Sequence, residues 1–309
     1  MKPAKRCILG KKLMLFMVVT CAYLTQGLPA LAQNSHSDAL KTQAEFPGGK
    51  SAVDWKQGFI EITAWGSANT RETANIAQAK TIALKTARHL AFEKAAERVY
   101  GLNLNAEALY GNEALINSHL RTSTSGVIRN AAVMRENVMI GSDGSPWAEV
   151  TIRLLLNGEY GLSGPAAQWA ISPQGGSNTF APKEGNTDSH EISQEKRYTG
   201  LIVDASGLGA RPAMVVKVLA EDDLRTVYGP HAVDRNAAMK TGFAAYSSSV
   251  AEAFKVKRAG ENPLVIKARS VAGSNKADLV ITSDDAARLY GADLQGGFLK
   301  QCKVVVVIN

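Results

Sequence analysis

Acidic side chains near the ends of predicted strands are the residues of this chain best suited by type and placement to ligand chemistry. They are Asp204, Asp278, Asp284 and Asp285. If their carboxylates converged, they would supply the hard oxygen ligands that divalent cations prefer. Such carboxylates also serve as turn and capping residues, and Thr282 and Asp285 have the spacing of a helix capping box. We therefore predict no metal site and no cofactor.

Catalytic motifs are the next place to look for function. The sequence contains neither H-E-x-x-H nor G-x-S-x-G. His36 and His190 fall in predicted flexible segments and His89 on the polar side of a predicted helix, which leaves His119 and His231 as candidate catalysts. We predict that the protein is not an enzyme, and a hydrolase using His119 or His231 is the alternative.

Two glycine-containing stretches resemble phosphate-binding loops. Gly49-Lys50-Ser51 lacks the earlier glycine, because Ala44 occupies that position. Gly207-Leu208-Gly209 follows a predicted strand, but the third glycine position is Pro212 and no helix is predicted to start there. We interpret the second stretch as a tight connection between strands.

The first 32 residues have the parts of a secretory signal peptide. Basic residues end at Lys12, an apolar run covers residues 13–24, and Ala30-Leu31-Ala32 gives the small-x-small cleavage pattern. We predict cleavage before Gln33 and a periplasmic mature protein, with association with the outer membrane left open. No other segment is apolar enough to span a bilayer.

Two alternatives to cleavage would keep the protein attached to a membrane. An uncleaved anchor needs roughly 20 apolar residues, and Gln26, Gly27 and Pro29 interrupt the run too early. A lipoprotein would be acylated at Cys21, where Thr20 is larger than the residue usual before such a cysteine.

Net charge argues against nucleic acid as a partner. The full chain has a formal charge of +7, from 35 Lys and Arg against 28 Asp and Glu. Five of the basic residues, and no acidic ones, lie in the first 32 residues, so the remainder has 30 against 28, a charge of +2. That excess neutralises few phosphates. One cysteine, Cys302, then remains, and its apolar neighbours predict a buried, unreactive thiol.

Composition divides the chain into two modules of α+β class, each an antiparallel or mixed sheet packed on one or two helices. We predict a signal peptide at 1–32, a flexible leader at 33–51, a first module at 52–161, a flexible linker at 162–196 and a second module at 197–309. The linker contains a lone aromatic residue, Trp169, which we single out as a candidate partner contact.

The first module shows clear periodicity. Residues 59–65 alternate as a half-buried strand. Asn69 and Glu72 have the spacing that opens a helix, and Gly101 is predicted to end it. Alanines at every fourth position of this helix predict a low ridge that packs against a sheet. They are Ala79, Ala83, Ala87, Ala91 and Ala95. Strands are predicted near 125–140 and 146–157. Trp65 and Trp147 are predicted to be core or subunit-contact residues.

The second module predicts a strand at 199–204, a hairpin of 214–219 with 225–228, and strands near 263–270 and 277–282. A helical period runs through Met239, Phe243, Tyr246, Val250 and Phe254 to basic residues before Gly260. A short helix near 284–291 precedes a Val and Ile run at 304–308. That run lacks a polar face, so it predicts a central strand covered on both sides.

The first module resembles a known family. Ile62-Thr63-Ala64-Trp65-Gly66, the alanine-rich helix, Val99-Tyr100-Gly101-Leu102 and Gly126-Val127-Ile128 are similar to the envelope-protein family that includes FlgP and the N-terminal domain of FlgT. The resemblance covers about 100 residues and implies an exported, non-enzymatic protein, in the flagellar cases one that builds rings near the outer membrane.

These observations give two hypotheses of function. The first is a non-catalytic exported envelope scaffold, a flagellar or outer-membrane accessory, whose partners are envelope proteins or further copies of itself. The alternative is a periplasmic ligand- or cell-wall-binding protein with its site around Asp204, Arg211 and Asp285 in the second module.

Overall fold

A computed structural model of the protein describes residues 39–103, 123–171, 179–181 and 197–309. The predicted signal peptide lies outside these ranges, as do His36, His119 and His190. The fold is α+β, as predicted, with helices packed on sheets in both modules. The described residues of the two modules belong to one compact unit.

One antiparallel five-stranded sheet forms the first module. Its strands are β1 (Lys41–Phe46), β2 (Gly49–Asp54), β3 (Phe59–Ser67), β4 (Ala132–Ile140) and β5 (Pro146–Leu155), in the order β1-β2-β3-β5-β4. The residues that alternate along β3 and β5 point to one face and are buried there, at Ile60, Ile62, Val150 and Ile152. The central strands therefore confirm the predicted alternation, while β1 and β4 lie at the edges.

The predicted flexible leader at 33–51 is wrong over its described part. Residues 41–54 form the β1–β2 hairpin, with Phe46 opposite Gly49 and a turn at Pro47-Gly48. Gly48 has a φ of +84°, which glycine adopts without strain. β1 has mostly exposed side chains and no apolar alternation, so ladder hydrogen bonds to β2, rather than burial, set its conformation.

The long helix α1 (Ile76–Tyr100) packs on the inner face of this sheet, mainly over β3 and β5. All five alanines of the predicted ridge are fully buried, and Gly101 ends the helix as predicted. The start differs: Asn69 caps a short 3₁₀ turn at Thr70–Glu72, and the Asn75 side chain caps α1 itself by accepting from the Gln78 N–H. Residues 123–129 are helical, so the strand predicted over 125–140 is wrong at its start.

Two four-stranded sheets form the second module. Their strands are β6 (Gly200–Asp204), β7 (Val218–Ala220), β8 (Thr226–Tyr228), β9 (Ala245–Ser247), β10 (Pro263–Lys267), β11 (Ser270–Ala272), β12 (Asp278–Ile281) and β13 (Val304–Val307). The first sheet has the order β10-β6-β13-β9 and is parallel throughout; the second has the order β11-β12-β7-β8. Fully buried β13 lies between two parallel strands, so the predicted central strand is confirmed.

The predicted helix through residues 239–254 is wrong. The chain instead forms α3 (Arg235–Thr241), the strand β9 and α4 (Val250–Ala253). Gly242, with a φ of +73°, ends α3 and turns the chain into the sheet, where Phe243 and Tyr246 are buried as core residues. Their helix-like spacing is therefore a coincidence of three separate elements. The last helix, α5 (Ser283–Gly296), extends the predicted 284–291.

The predicted linker at 162–196 is structured where it is described. Its first residues form α2 (Ser163–Ala170), which buries Ala166 and Ala167 and packs against α3. Ser163 Oγ donates a hydrogen bond of 2.6 Å to the Met239 C=O. The small residues that suggested flexibility instead allow close helix packing. Residues 172–178 and 182–196 lie outside the described ranges.

The modules also meet through aromatic and ionic contacts. Trp55 packs edge-on against Tyr246, with ring centroids 5.8 Å apart, and Lys56 Nζ lies 2.8 Å from Glu252 Oε2. The Tyr246 hydroxyl donates to the Ala213 C=O at 2.7 Å and accepts from the Ala213 N–H at 2.9 Å. Both modules therefore contribute to one hydrophobic core.

Two buried phenols predict a loss of stability at alkaline pH. Burial raises the pKa of Tyr228 and of Tyr246, whose hydroxyls bond backbone carbonyls. Ionisation is thus harder in the folded protein than in the unfolded chain, where a tyrosine pKa is about 10. Stability should be unaffected below that pH and fall above it, by up to about 1.4 kcal/mol per pH unit for each phenol.

Denaturant unfolding at a series of pH values, with tyrosinate absorbance followed in parallel, measures this effect. Tyr160→Phe is the control, because Tyr160 is 70% exposed and its removal should leave the alkaline transition in place. Full ionisation of every tyrosine in a protein that is still folded would contradict the prediction.

Candidate interaction surfaces

The three residues of the predicted ligand site have separate local roles. The Asp204 carboxylate, at the end of β6, accepts from the Ser206 N–H at 3.0 Å, and the Arg211 backbone N–H donates to the Lys276 C=O. Asp285 lies in the first turn of α5. No hydrogen bond or ion pair joins Asp204, Arg211 and Asp285 to one another.

Asp285 has the structural role that its capping-box spacing predicts. The Thr282 side chain caps α5 by accepting from the Asp285 N–H at 3.0 Å, and its hydroxyl lies 3.1 Å from the Asp285 carboxylate. The same carboxylate lies 3.2 Å from Arg288. Within the described ranges, no three His, Cys, Asp or Glu side chains are grouped to hold a metal ion.

His231, the described candidate catalyst, lies beside a lysine rather than an acid. Burial, and then the charge of Lys217, lower its pKa. Lys217 is itself buried, and its own pKa is lowered by burial against the opposing effect of Asp278. Within the described ranges, the hydrogen bond of His231 is to the Thr226 backbone rather than to a hydroxyl or thiol nucleophile.

Trp169, the candidate partner contact, does not lie in a flexible tract. It belongs to α2 and is half-buried against the common core. The reasoning that it is a lone aromatic in a mobile linker therefore does not apply, and its indole helps to hold α2 on the protein.

An accessible apolar surface of the first module lies along the edge strand β4. Val133, Met134 and Ile140 are each about half exposed, at 47–50%. Among the described residues, no strand pairs with the outer side of β4, so its outward N–H and C=O groups lack a ladder partner there. Open edges of this length are normally protected, because they template pairing with another chain.

The position of α1 explains this exposure. The helix lies over β3 and β5 and barely reaches β4. An ion pair between Arg88 of α1 and Glu136 of β4 links the helix to this edge strand. The inward-facing side chains of β4, Val133 and Ile140 among them, therefore extend beyond the helix and stay in contact with solvent.

The face of the sheet opposite α1 carries paired polar and aromatic side chains. Trp65 Nε1–H donates to Glu149 at 3.0 Å, and the Thr63 and Thr151 hydroxyls lie 3.0 Å apart. Arg153 lies 2.7 Å from Glu61, and its guanidinium is 4.2 Å from the centre of the Phe59 ring. Cross-strand pairs of this kind fix the register of β3 and β5.

A shallow groove of about 370 Å³ runs along this open face over β1, β2 and β3. Its lining is mostly charged and polar: Lys41, Gln43, Glu45, Lys50, Glu61 and Thr63. Trp65, predicted as a core or subunit-contact residue, is 40% exposed on the same face of the sheet. The second edge of the sheet, β1, borders the groove. The accessible surfaces of this module thus include two strand edges and one polar face.

The sequence pointed to these surfaces only weakly. The sequence predicts a strand near 125–140, but nothing local shows whether a helix covers it. The exposure of Val133 and Ile140 depends on where α1 crosses the sheet, and that is set by Gly66 and the alanine ridge.

The chain is an α+β protein. Its first module has a helix packed on an antiparallel sheet, and its second module contains a parallel sheet. Residues 200–309, about a third of the chain, match a family model described as the second domain of Treponema pallidum Tp0624. A comparison with curated proteins found no match. Within the described ranges, no helix combines the length and apolar character needed to cross a bilayer.

Proposed function

We propose that this protein is a non-catalytic, exported scaffold of the bacterial envelope, which acts through protein–protein contacts at the edges of its first sheet. One observation carries the proposal: β4 is a nine-residue edge strand with half-exposed apolar side chains and no described strand on its outer side. An added strand would complete its backbone hydrogen bonds and cover its apolar side chains together.

The sequence supports the cellular setting of this proposal. The signal-peptide pattern of residues 1–32 favours the periplasm, and the resemblance of the first module to FlgP and the FlgT N-terminal domain favours an accessory role at the outer membrane or flagellum. Envelope proteins or further copies of the chain are the proposed partners.

Lysines introduced on β4 should disrupt the proposed association with envelope proteins or with further copies of the chain. In a Met134→Lys/Ile140→Lys variant, charge on the edge blocks strand addition, as it does on natural edge strands. The mature protein should lose co-fractionation with envelope material, with at least about a tenfold weaker association, equivalent to about 1.4 kcal/mol. Sedimentation velocity and membrane fractionation measure this, and the unchanged circular dichroism spectrum reports on the fold.

The matched control is Leu294→Lys, since Leu294 is 73% exposed on α5 in the other module. It should behave as the wild type. A wild-type mature protein that stays monomeric at high concentration and is absent from envelope fractions would overturn the proposed function.

A further inference from the structure

Three residues of the predicted linker lie against the edge of the second module. Thr179 forms a parallel β-bridge with Thr226 of β8, and the Phe180 N–H donates to the Thr226 C=O at 3.0 Å. β8 is the edge strand of its sheet. The contact is therefore a short strand added to an open edge.

The Phe180 side chain is buried against α5 and belongs to the common hydrophobic core. It is only 7% exposed, its ring packs edge-on against Tyr290 of α5 at 6.4 Å between centroids, and the Arg225 guanidinium lies 5.3 Å from its centre. An aromatic ring between a tyrosine edge and a cation is a favourable arrangement.

Arg225 recognises the backbone of the same segment. Its Nη1 donates to the Ala181 C=O at 3.2 Å, while its Nε donates to Asp223 at 2.5 Å. The carboxylate thus orients the guanidinium, which bonds the main chain on one side and faces the Phe180 ring on the other. Main-chain hydrogen bonds combined with a side-chain pocket are the two features of peptide recognition by strand addition.

We propose that the β8 edge and the pocket formed by Arg225 and Tyr290 are a peptide-recognition site for an extended segment that carries a phenylalanine, and that Thr179–Ala181 occupies this site in cis. The inference does not depend on the proposed scaffold function. Tethering gives the cis segment a high effective concentration, so the same residues of a second copy enter the site in trans only when Phe180 leaves.

A labelled peptide with the sequence of residues 176–184, GSNTFAPKE, tests the site on the full mature chain by fluorescence anisotropy. Phe180→Ala empties the pocket and should bind this peptide at least about tenfold more tightly than the wild type. The same peptide with its phenylalanine replaced by alanine should not bind. Adding Arg225→Ala to the Phe180→Ala chain should abolish the gain.

Phe180→Leu provides a second test that does not rely on an emptied pocket, because it keeps most of the apolar volume. It should bind the peptide with an affinity between those of the wild type and Phe180→Ala. Phe254→Ala, at a half-exposed phenylalanine elsewhere in the module, is the matched control and should bind as the wild type does. Equal binding to all chains, or no binding to either Phe180 variant, would overturn the inference.

Discussion

Gly66→Ala is expected to destabilise the protein by about 3 kcal/mol. A Cβ at Gly66 would lie 2.3 Å from Ala87 N and 2.5 Å from the Ala83 carbonyl oxygen, both backbone atoms of α1. A side chain could rotate away, but a helix backbone cannot, so α1 must move off β3. Every alanine of the buried ridge would lose contact with the sheet.

Thermal unfolding measures this change. At roughly 2–4 °C per kcal/mol for a protein of this size, the midpoint should fall by about 10 °C. Gly164→Ala is the matched control: an added Cβ there meets nothing within 4 Å, and the position lies in α2. It should be neutral or slightly stabilising because alanine favours helix over glycine. Equal midpoints for the two variants would show that α1 does not rest on Gly66.

Arg258→Ala should cost about 3–4 kcal/mol, because the side chain bonds three backbone carbonyls at once. Nε donates to the Cys302 C=O at 2.6 Å, Nη1 to the Thr241 C=O at 2.8 Å, and Nη2 to the Gly242 C=O. Gly242 and Cys302 both have positive φ, so one guanidinium holds two left-handed turns. Charge-assisted hydrogen bonds of this type are among the stronger ones.

Denaturant unfolding of Arg258→Ala and Arg258→Lys separates charge from geometry. Lysine keeps the charge but lacks the planar fork, so it should recover only part of the loss. Arg269→Ala is the control, since the Arg269 side chain is mostly exposed and its ion pair with Glu221 is long, at 3.7 Å. It should change stability by less than about 0.5 kcal/mol. Complete rescue by lysine would show that positive charge alone, rather than the three-way hydrogen bonding, stabilises the turns.

The candidate interaction surfaces were harder to predict than the core. The predicted polar site around Asp204, Arg211 and Asp285 combined residues by their nearness to strand ends, but each has a local partner of its own in the fold. Phe180 and Arg225 are 45 positions apart and lie in segments without a shared pattern, so no sequence signal linked them.

Periodicity along one element was enough to determine the buried ridge of α1, the alternation of β5 and the central position of β13. Each of these elements buries residues that recur at short, regular spacing, and burial leaves that spacing in the sequence. The same logic failed at residues 239–254, where a glycine with positive φ and an arginine from a later turn divide one apparent helical period among α3, β9 and α4.

Only the tertiary structure decided the β1–β2 hairpin, the packing of α2, the exposure of β4 and the burial of Phe180 at the edge of β8. In each case the stabilising partner comes from another part of the chain: ladder bonds from β2, the surface of α3, the crossing point of α1, and the edge of β8. A local pattern records which residues are apolar. It does not record which distant element covers them, because that depends on how all the elements pack together.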